Sequence, residues 1–69
     1  MKLSARNVLS GTVKEVTRGA VNAHVRIDVG GSIVTASVTN EAVDELGLKV
    51  GDAAMAVIKA TDVMVGKPD

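Results

Sequence analysis

Apolar and polar residues alternate along most of this chain, a pattern typical of half-buried β-strands. The alternation is clearest from Val21 to Val29, where apolar side chains share one face and polar side chains the other. Asn7 to Arg18 predicts a first strand, with a β-bulge near Lys14-Glu15 where the apolar spacing slips from two residues to three. Gly30-Gly31 predicts a tight hairpin turn into a third strand, from Ser32 to Thr39.

The hydrophobic period changes after the third strand. Asn40 is predicted to cap a helix of about two turns that ends at Gly47. A fourth strand, apolar on both faces, is predicted from Ala53 to Ala60, and a short fifth strand from Val63 to Val65. This element order is that of an OB-like fold. We therefore expect an all-β, five-stranded, OB-like antiparallel barrel with one short helix between strands 3 and 4, forming a single domain over residues 1–69.

The composition constrains how so small a fold is stabilised. The chain has no cysteine, one histidine and no aromatic residue, although 46% of its residues are hydrophobic. Disulfides, thiolate metal sites and histidine clusters are therefore excluded, and a small aliphatic core points to self-association. The formal net charge is +0, and no apolar run approaches the length of a membrane span. We expect a cytoplasmic homo-oligomer with no cofactor, no directly coordinated metal ion, and neither nucleic acid nor membrane as partner.

Two short segments near the ends of the chain carry groups that bind oxyanions. Ser4-Ala5-Arg6-Asn7 supplies a hydroxyl, a guanidinium and backbone N–H groups, which together suit a tetrahedral oxyanion. Ile58-Lys59-Ala60-Thr61 supplies a second cation and a second hydroxyl. On spacing alone, a solvated Arg6 and a Lys59 that extends into water are the simpler interpretations.

These two segments resemble the signature of the molbindin, or Mop, family of small molybdate- and tungstate-binding proteins, of the TOBE class of domains. The resemblance covers nearly the whole chain and favours an oxyanion site over solvated charges. It implies a hexamer built as a trimer of dimers, which binds molybdate or tungstate at subunit interfaces for intracellular molybdenum storage or homeostasis. The implied main site comprises Ser4, Ala5, Arg6, Thr39, Ala42, Lys59, Ala60 and Thr61, with only the backbone N–H acting at Ala42.

A second class of oxyanion site, which the same family has near a symmetry axis, is assigned to the turn after the first strand. Consecutive backbone N–H groups in a glycine turn can form an anion-binding nest. An ordinary hairpin turn explains the same sequence equally well. The turn consists of Gly19, Ala20, Val21 and Asn22, and the nearby His24 is interpreted as an exposed or interface residue.

Two other functional classes fit this sequence less well than the binding of a small oxyanion does. A nucleic-acid-binding OB-like module is the alternative that the architecture permits, but such sites use aromatic stacking and a basic groove. The chain has no aromatic residue and no net positive charge. An enzyme is rejected, since no nucleophile–base pair lies near the single histidine and no paired carboxylates have a recognisable spacing.

Overall fold

The long strand β1, Asn7–Arg18, organises the sheet in the computed structural model, which describes residues 1–69. Its first half pairs with β4, Ala53–Ile58, and its second half with β2, Asn22–Asp28. A further strand, β3, Ile33–Thr39, pairs with β2. All pairs are antiparallel, and the strand order is β3-β2-β1-β4. One strand of 12 residues thus joins both halves of a curled sheet.

A β-bulge bends β1 at Lys14, as the slip in the alternation predicts. The pairing with β2 passes from Val13 directly to Glu15, so Lys14 has no partner in the ladder. The extra residue lets Val13 and Val16, three positions apart, both pack into the core. The predicted bulge is confirmed, and it provides the curvature of the sheet.

Gly30 and Gly31 form the turn between β2 and β3, and the predicted hairpin is confirmed. Their φ angles are 102° and 97°, which glycine adopts without a steric cost. The Asp28 carboxylate accepts hydrogen bonds from the N–H groups of Gly31 and Gly30, at 2.9 and 3.0 Å. These two bonds, the Gly31 bond foremost, hold the pKa of Asp28 below its ordinary value.

We expect Asp28→Asn to reduce the dependence of stability on acidic pH. Because the folded chain favours the carboxylate, its contribution is fully present above the ordinary aspartate pKa of about 3.9. It is lost as the pH falls through the lower folded pKa. Urea unfolding at neutral and acidic pH measures this, with Asp69→Asn as the control because the Asp69 carboxylate accepts no hydrogen bond in the chain. An equal acid-induced loss in wild type and Asp28→Asn would contradict the assignment.

The helix α1, Asn40–Leu46, follows β3, and Thr39 caps it. The Thr39 Oγ1 accepts a hydrogen bond from the Ala42 N–H at 3.0 Å. The prediction that Asn40 is the cap is wrong, because the Asn40 side chain donates instead to the Gly19 carbonyl at 3.0 Å. The cap therefore belongs to the last residue of β3, which joins strand and helix without a loop.

The core consists of one face of the sheet and one side chain of the helix. Val43 reaches it from α1, just before Gly47 ends the helix in the left-handed conformation with φ of 63°. None of the helical segments has the length and apolar character of a membrane span. The buried residues are Val13, Ala23, Val25, Ile27, Val43 and Ala56.

The prediction of an all-β, antiparallel fold with one helix is confirmed, but the prediction of a five-stranded barrel is wrong, because the curled sheet has four strands. Strand β4 ends at Ile58, and the short 3₁₀ turn Ala60–Asp62 follows it. Val63–Val65 belongs to no strand. Alternating apolar residues indicate which face of a strand is buried, but not which strand it pairs with. No strand of the chain pairs with this segment. The curled sheet therefore keeps two free edges, β3 and β4.

Candidate functional site

The ladder between β1 and β4 brings the two terminal segments to the same end of the sheet. Asn7 pairs with Ile58, and the Asn7 Nδ2 donates to the Ile58 carbonyl at 3.2 Å. Ser4–Arg6 precedes this pair and Lys59–Thr61 follows it, so both segments leave an antiparallel ladder on the same side. Residues that are 51 positions apart in sequence thus become neighbours.

The two cations at this end have no carboxylate partner. Arg6 and Lys59 are both exposed. The one salt bridge in the structure joins Arg18 to Asp44, at 2.6 Å. No group of three or more His, Cys, Asp or Glu side chains is placed to hold a metal ion. Neither Arg6 nor Lys59 is therefore committed to an ion pair within the chain, which leaves both cations available to an anionic ligand.

Backbone donors add to these cations. The N–H groups of Ser4 and Ala5 precede β1 and make no backbone hydrogen bond. Those of Ala60 and Thr61 begin the 3₁₀ turn, where the first N–H groups have no intrahelical acceptor. The predicted residues of these two segments thus supply hydroxyl, backbone and cationic donors at the same end of the sheet.

Thr39 and Ala42, the remaining residues of the predicted main site, lie at the opposite end of β1. Thr39 pairs with Asn22, which adjoins the last residue of β1, Arg18, in the sheet. The 12 residues of β1 correspond to roughly 35 Å of strand between this corner and Arg6. The Ala42 N–H is moreover bonded to Thr39, whose hydroxyl hydrogen remains available to donate. One chain therefore presents the predicted main site as two separated parts.

The turn Gly19–Asn22, predicted as the second site, keeps only part of its donors available. The Gly19 N–H donates to the Asn22 carbonyl within the turn, at 2.7 Å. The N–H groups of Ala20 and Val21 make no backbone hydrogen bond. An anion at this turn would therefore have two adjacent backbone donors.

Asn40 connects that turn to the start of the helix, and sequence reasoning assigned it a different role. Its N–H donates to the Val21 carbonyl at 2.8 Å and its Nδ2 to the Gly19 carbonyl at 3.0 Å. Its Oδ1 is buried without a donor. No local sequence signal marks contacts across about 20 residues, so only the fold reveals that the Thr39–Ala42 corner and the Gly19–Asn22 turn form one unit.

Comparison with known proteins identifies the family. The profile of the TOBE domain matches residues 3–65. A probable molybdenum-pterin-binding protein of Haemophilus influenzae is 54% identical over 67 residues, which cover 96% of this chain and 97% of the relative. The chain belongs to the molbindin, or Mop, family of TOBE domains. The family prediction made from the two terminal segments is confirmed.

Two solved structures share the fold of this TOBE domain. A molybdate-binding protein from Sporomusa ovata has a TM-score of 0.92 and 42% identity, covering 97% of this chain and 100% of that protein. The cytoplasmic molybdate-binding protein ModG, in a form with molybdate bound, has a TM-score of 0.92 and 55% identity. The matched region covers 99% of this chain and 49% of the ModG chain. A curled antiparallel sheet with one helix is the architecture these molecules have in common.

Proposed function

We propose that this TOBE domain binds molybdate or tungstate through the donors at the shared end of β1 and β4. The observation that carries the proposal is the pairing of Asn7 with Ile58, which brings the segments that contain Arg6 and Lys59 to the same end of the sheet. A doubly charged oxyanion needs many fixed donors and positive charge to offset its loss of hydration. The proposal is supported by the molybdate-binding proteins that share this fold.

The complete main site contains parts of more than one copy of the chain. Arg6 and Thr39 lie at opposite ends of the longest strand, so a pocket that contains both needs a second copy. Binding would then link subunits, because an oxyanion held by two copies stabilises the assembled state over the separate chains. This arrangement is the subunit-interface site that the family resemblance implies.

Self-association is supported by the amount of apolar surface that one chain leaves exposed. Only 6 of 69 residues are buried. A cavity of about 400 Å³ is lined solely by hydrophobic residues, which come mainly from β2, β3 and β4. Met64 and Val65 are 93% and 94% exposed beyond the sheet. We propose that a second copy covers this surface within a hexamer arranged as a trimer of dimers, with the Val63–Val65 segment contributing apolar contacts.

The proposed role is molybdenum storage or homeostasis in the cytoplasm, without catalysis and without a resident cofactor. The relatives support a binding role, since their descriptions name a bound ligand and no reaction. ModG is described as cytoplasmic, and the same compartment is proposed for this chain.

Isothermal titration of molybdate into wild type and Lys59→Gln tests the proposed site. We expect the variant to bind about tenfold more weakly, because it loses one charge that offsets the oxyanion. Lys67→Gln makes the same substitution in the C-terminal tail and is expected to leave the affinity unchanged. No heat of binding in wild type, or equal affinities for wild type and Lys59→Gln, would rule out this site.

A further inference from the structure

Asn40 lies where the chain passes from β3 to α1, and it is bonded to a turn about 20 residues away. Its backbone N–H donates to the Val21 carbonyl at 2.8 Å, and its Nδ2 donates to the Gly19 carbonyl at 3.0 Å. Any residue except proline can form the first bond, because it uses only main-chain atoms. The second bond requires a side-chain donor. The identity of residue 40 therefore decides whether one hydrogen bond or two hold the start of α1 to this turn.

The other polar atom of the Asn40 side chain shows that this connection has an energetic cost. The Asn40 Oδ1 is buried and accepts no hydrogen bond. A buried acceptor that has lost its water and gained no donor destabilises the folded chain. An apolar side chain of similar shape would lose the Gly19 bond and the unpaired acceptor together, so its net effect on stability is expected to be small. What the amide adds is direction, because Nδ2 ties the start of α1 to one point of the turn.

The neighbouring residue, Thr39, depends on where α1 starts. Its pairing with Asn22 is the last in the β2–β3 ladder, so the chain beyond it is held by residue 40. The Thr39 Oγ1 accepts a hydrogen bond from the Ala42 N–H at 3.0 Å, which directs the hydroxyl hydrogen away from the helix. The direction of that hydrogen therefore follows the position of the first turn of α1.

A second side-chain link joins the same parts of the fold, one helical turn further along α1. The Arg18 Nη2 donates to the Asp44 carboxylate at 2.6 Å. The two side chains are 46% and 67% exposed, and exposed ion pairs contribute little to stability. The uncharged Asn40–Gly19 bond is therefore the link that fixes the first turn of the helix.

We infer that Asn40 is a positioning residue for the oxyanion site, acting through Thr39. The inference rests on the proposed function, because Thr39 belongs to the predicted main site. The Asn40 amide holds the junction of β3 and α1 against the turn before a ligand arrives, and the Thr39 hydroxyl then donates to the oxyanion in a fixed direction. A hydrogen bond is weaker when its donor is misaligned, and ordering a loose donor reduces affinity.

Calorimetric titration of molybdate into the full-length protein tests this role, together with urea unfolding of the same variants without ligand. Asn40→Leu is expected to bind about tenfold more weakly and to unfold near the wild-type urea midpoint. Asn40→Ser, which also loses the bond to Gly19 but adds no apolar group, is expected to show the same loss of affinity. Glu45→Gln is the control, because Glu45 is exposed on α1 and forms no ion pair. It is expected to change neither quantity.

A double-mutant cycle with Thr39 separates positioning from an independent contribution. Thr39→Val keeps the shape of the side chain without its hydroxyl and is expected to weaken binding about tenfold. Because Asn40 acts through that hydroxyl, the double variant Thr39→Val/Asn40→Leu is expected to bind no more weakly than Thr39→Val alone.

Three results would overturn the positioning role of Asn40. They are equal affinities for wild type and Asn40→Leu, a double variant whose loss is the product of the two single losses, and a weaker affinity that comes with a much lower urea midpoint. The last of these would make Asn40 a residue of the fold alone. The proposed function would survive all three if Lys59→Gln still weakened binding. Absence of binding heat in wild type would overturn the proposed function and this inference with it.

Discussion

Replacing Arg6 by glutamine is expected to weaken molybdate binding about 100-fold. A hydrogen bond to a charged group contributes about 1.5–3 kcal/mol, and about 2.7 kcal/mol corresponds to that factor. The guanidinium of Arg6 forms no ion pair in the chain, so the substitution removes a ligand contact without breaking an internal one. Calorimetric titration measures the change, with Arg26→Gln as the control for the loss of one positive charge. An affinity in Arg6→Gln within a few-fold of wild type would remove Arg6 from the site.

The same variant is expected to lose the stabilisation that molybdate gives to the oligomer. A ligand held between copies stabilises the assembled state by an amount that grows with the logarithm of the ratio of its concentration to its Kd. At a molybdate concentration about ten times the wild-type Kd, we therefore expect molybdate to raise the thermal midpoint of wild type and to leave that of Arg6→Gln almost unchanged. A variant with weakened affinity whose midpoint still rose normally with molybdate would separate binding from assembly and contradict the composite site.

Replacing Gly11 by alanine is expected to destabilise the fold by about 3 kcal/mol, the upper range for overpacking in a core. A Cβ at this position would overlap the backbone carbonyl of Asp28, and it would lie 2.9 Å from the Ile27 Cγ2. The carbonyl belongs to the ladder next to the bulge and cannot move without disturbing the pairing of β1 with β2. For so small a domain this loss is a large part of the total stability.

Urea unfolding followed by circular dichroism measures this effect. Gly66→Ala is the matched control, because a Cβ there meets no atom within 4 Å and the residue lies outside the sheet. We expect Gly66→Ala to unfold at the wild-type midpoint and Gly11→Ala at a much lower urea concentration. A Gly11→Ala protein as stable as wild type would mean that β1 and β2 do not approach this closely.

Local patterns predicted the elements of this fold whose determinants are local. The slip in spacing near Lys14 predicted the bulge, and Gly30-Gly31 predicted the hairpin, because backbone geometry at each depends on a few adjacent residues. Strand formation at Val63–Val65 depends instead on a neighbouring strand, which no local pattern supplies. The helix cap was misassigned for a similar reason, because the Asn40 side chain is taken up by the distant Gly19 carbonyl.

The candidate site likewise has parts that local sequence predicts and parts that depend on distant residues. Family resemblance picked out the residues around Arg6 and Lys59, and the β1–β4 ladder brings both segments to the same end of the sheet. The pairing register of β2 with β3, which puts Thr39 at the far end of β1, could not be predicted from the sequence. Charge and hydroxyl content identify donors, but only strand pairing decides which donors meet within one chain.

Native mass spectrometry with and without molybdate tests whether one oxyanion is held by more than one copy of the chain. We expect an oligomer, with a hexamer as the main species, whose mass increases by whole molybdate units. Arg6→Gln should show fewer bound units under the same conditions. A monomer that binds one molybdate per chain would show that the oxyanion site is not shared between copies.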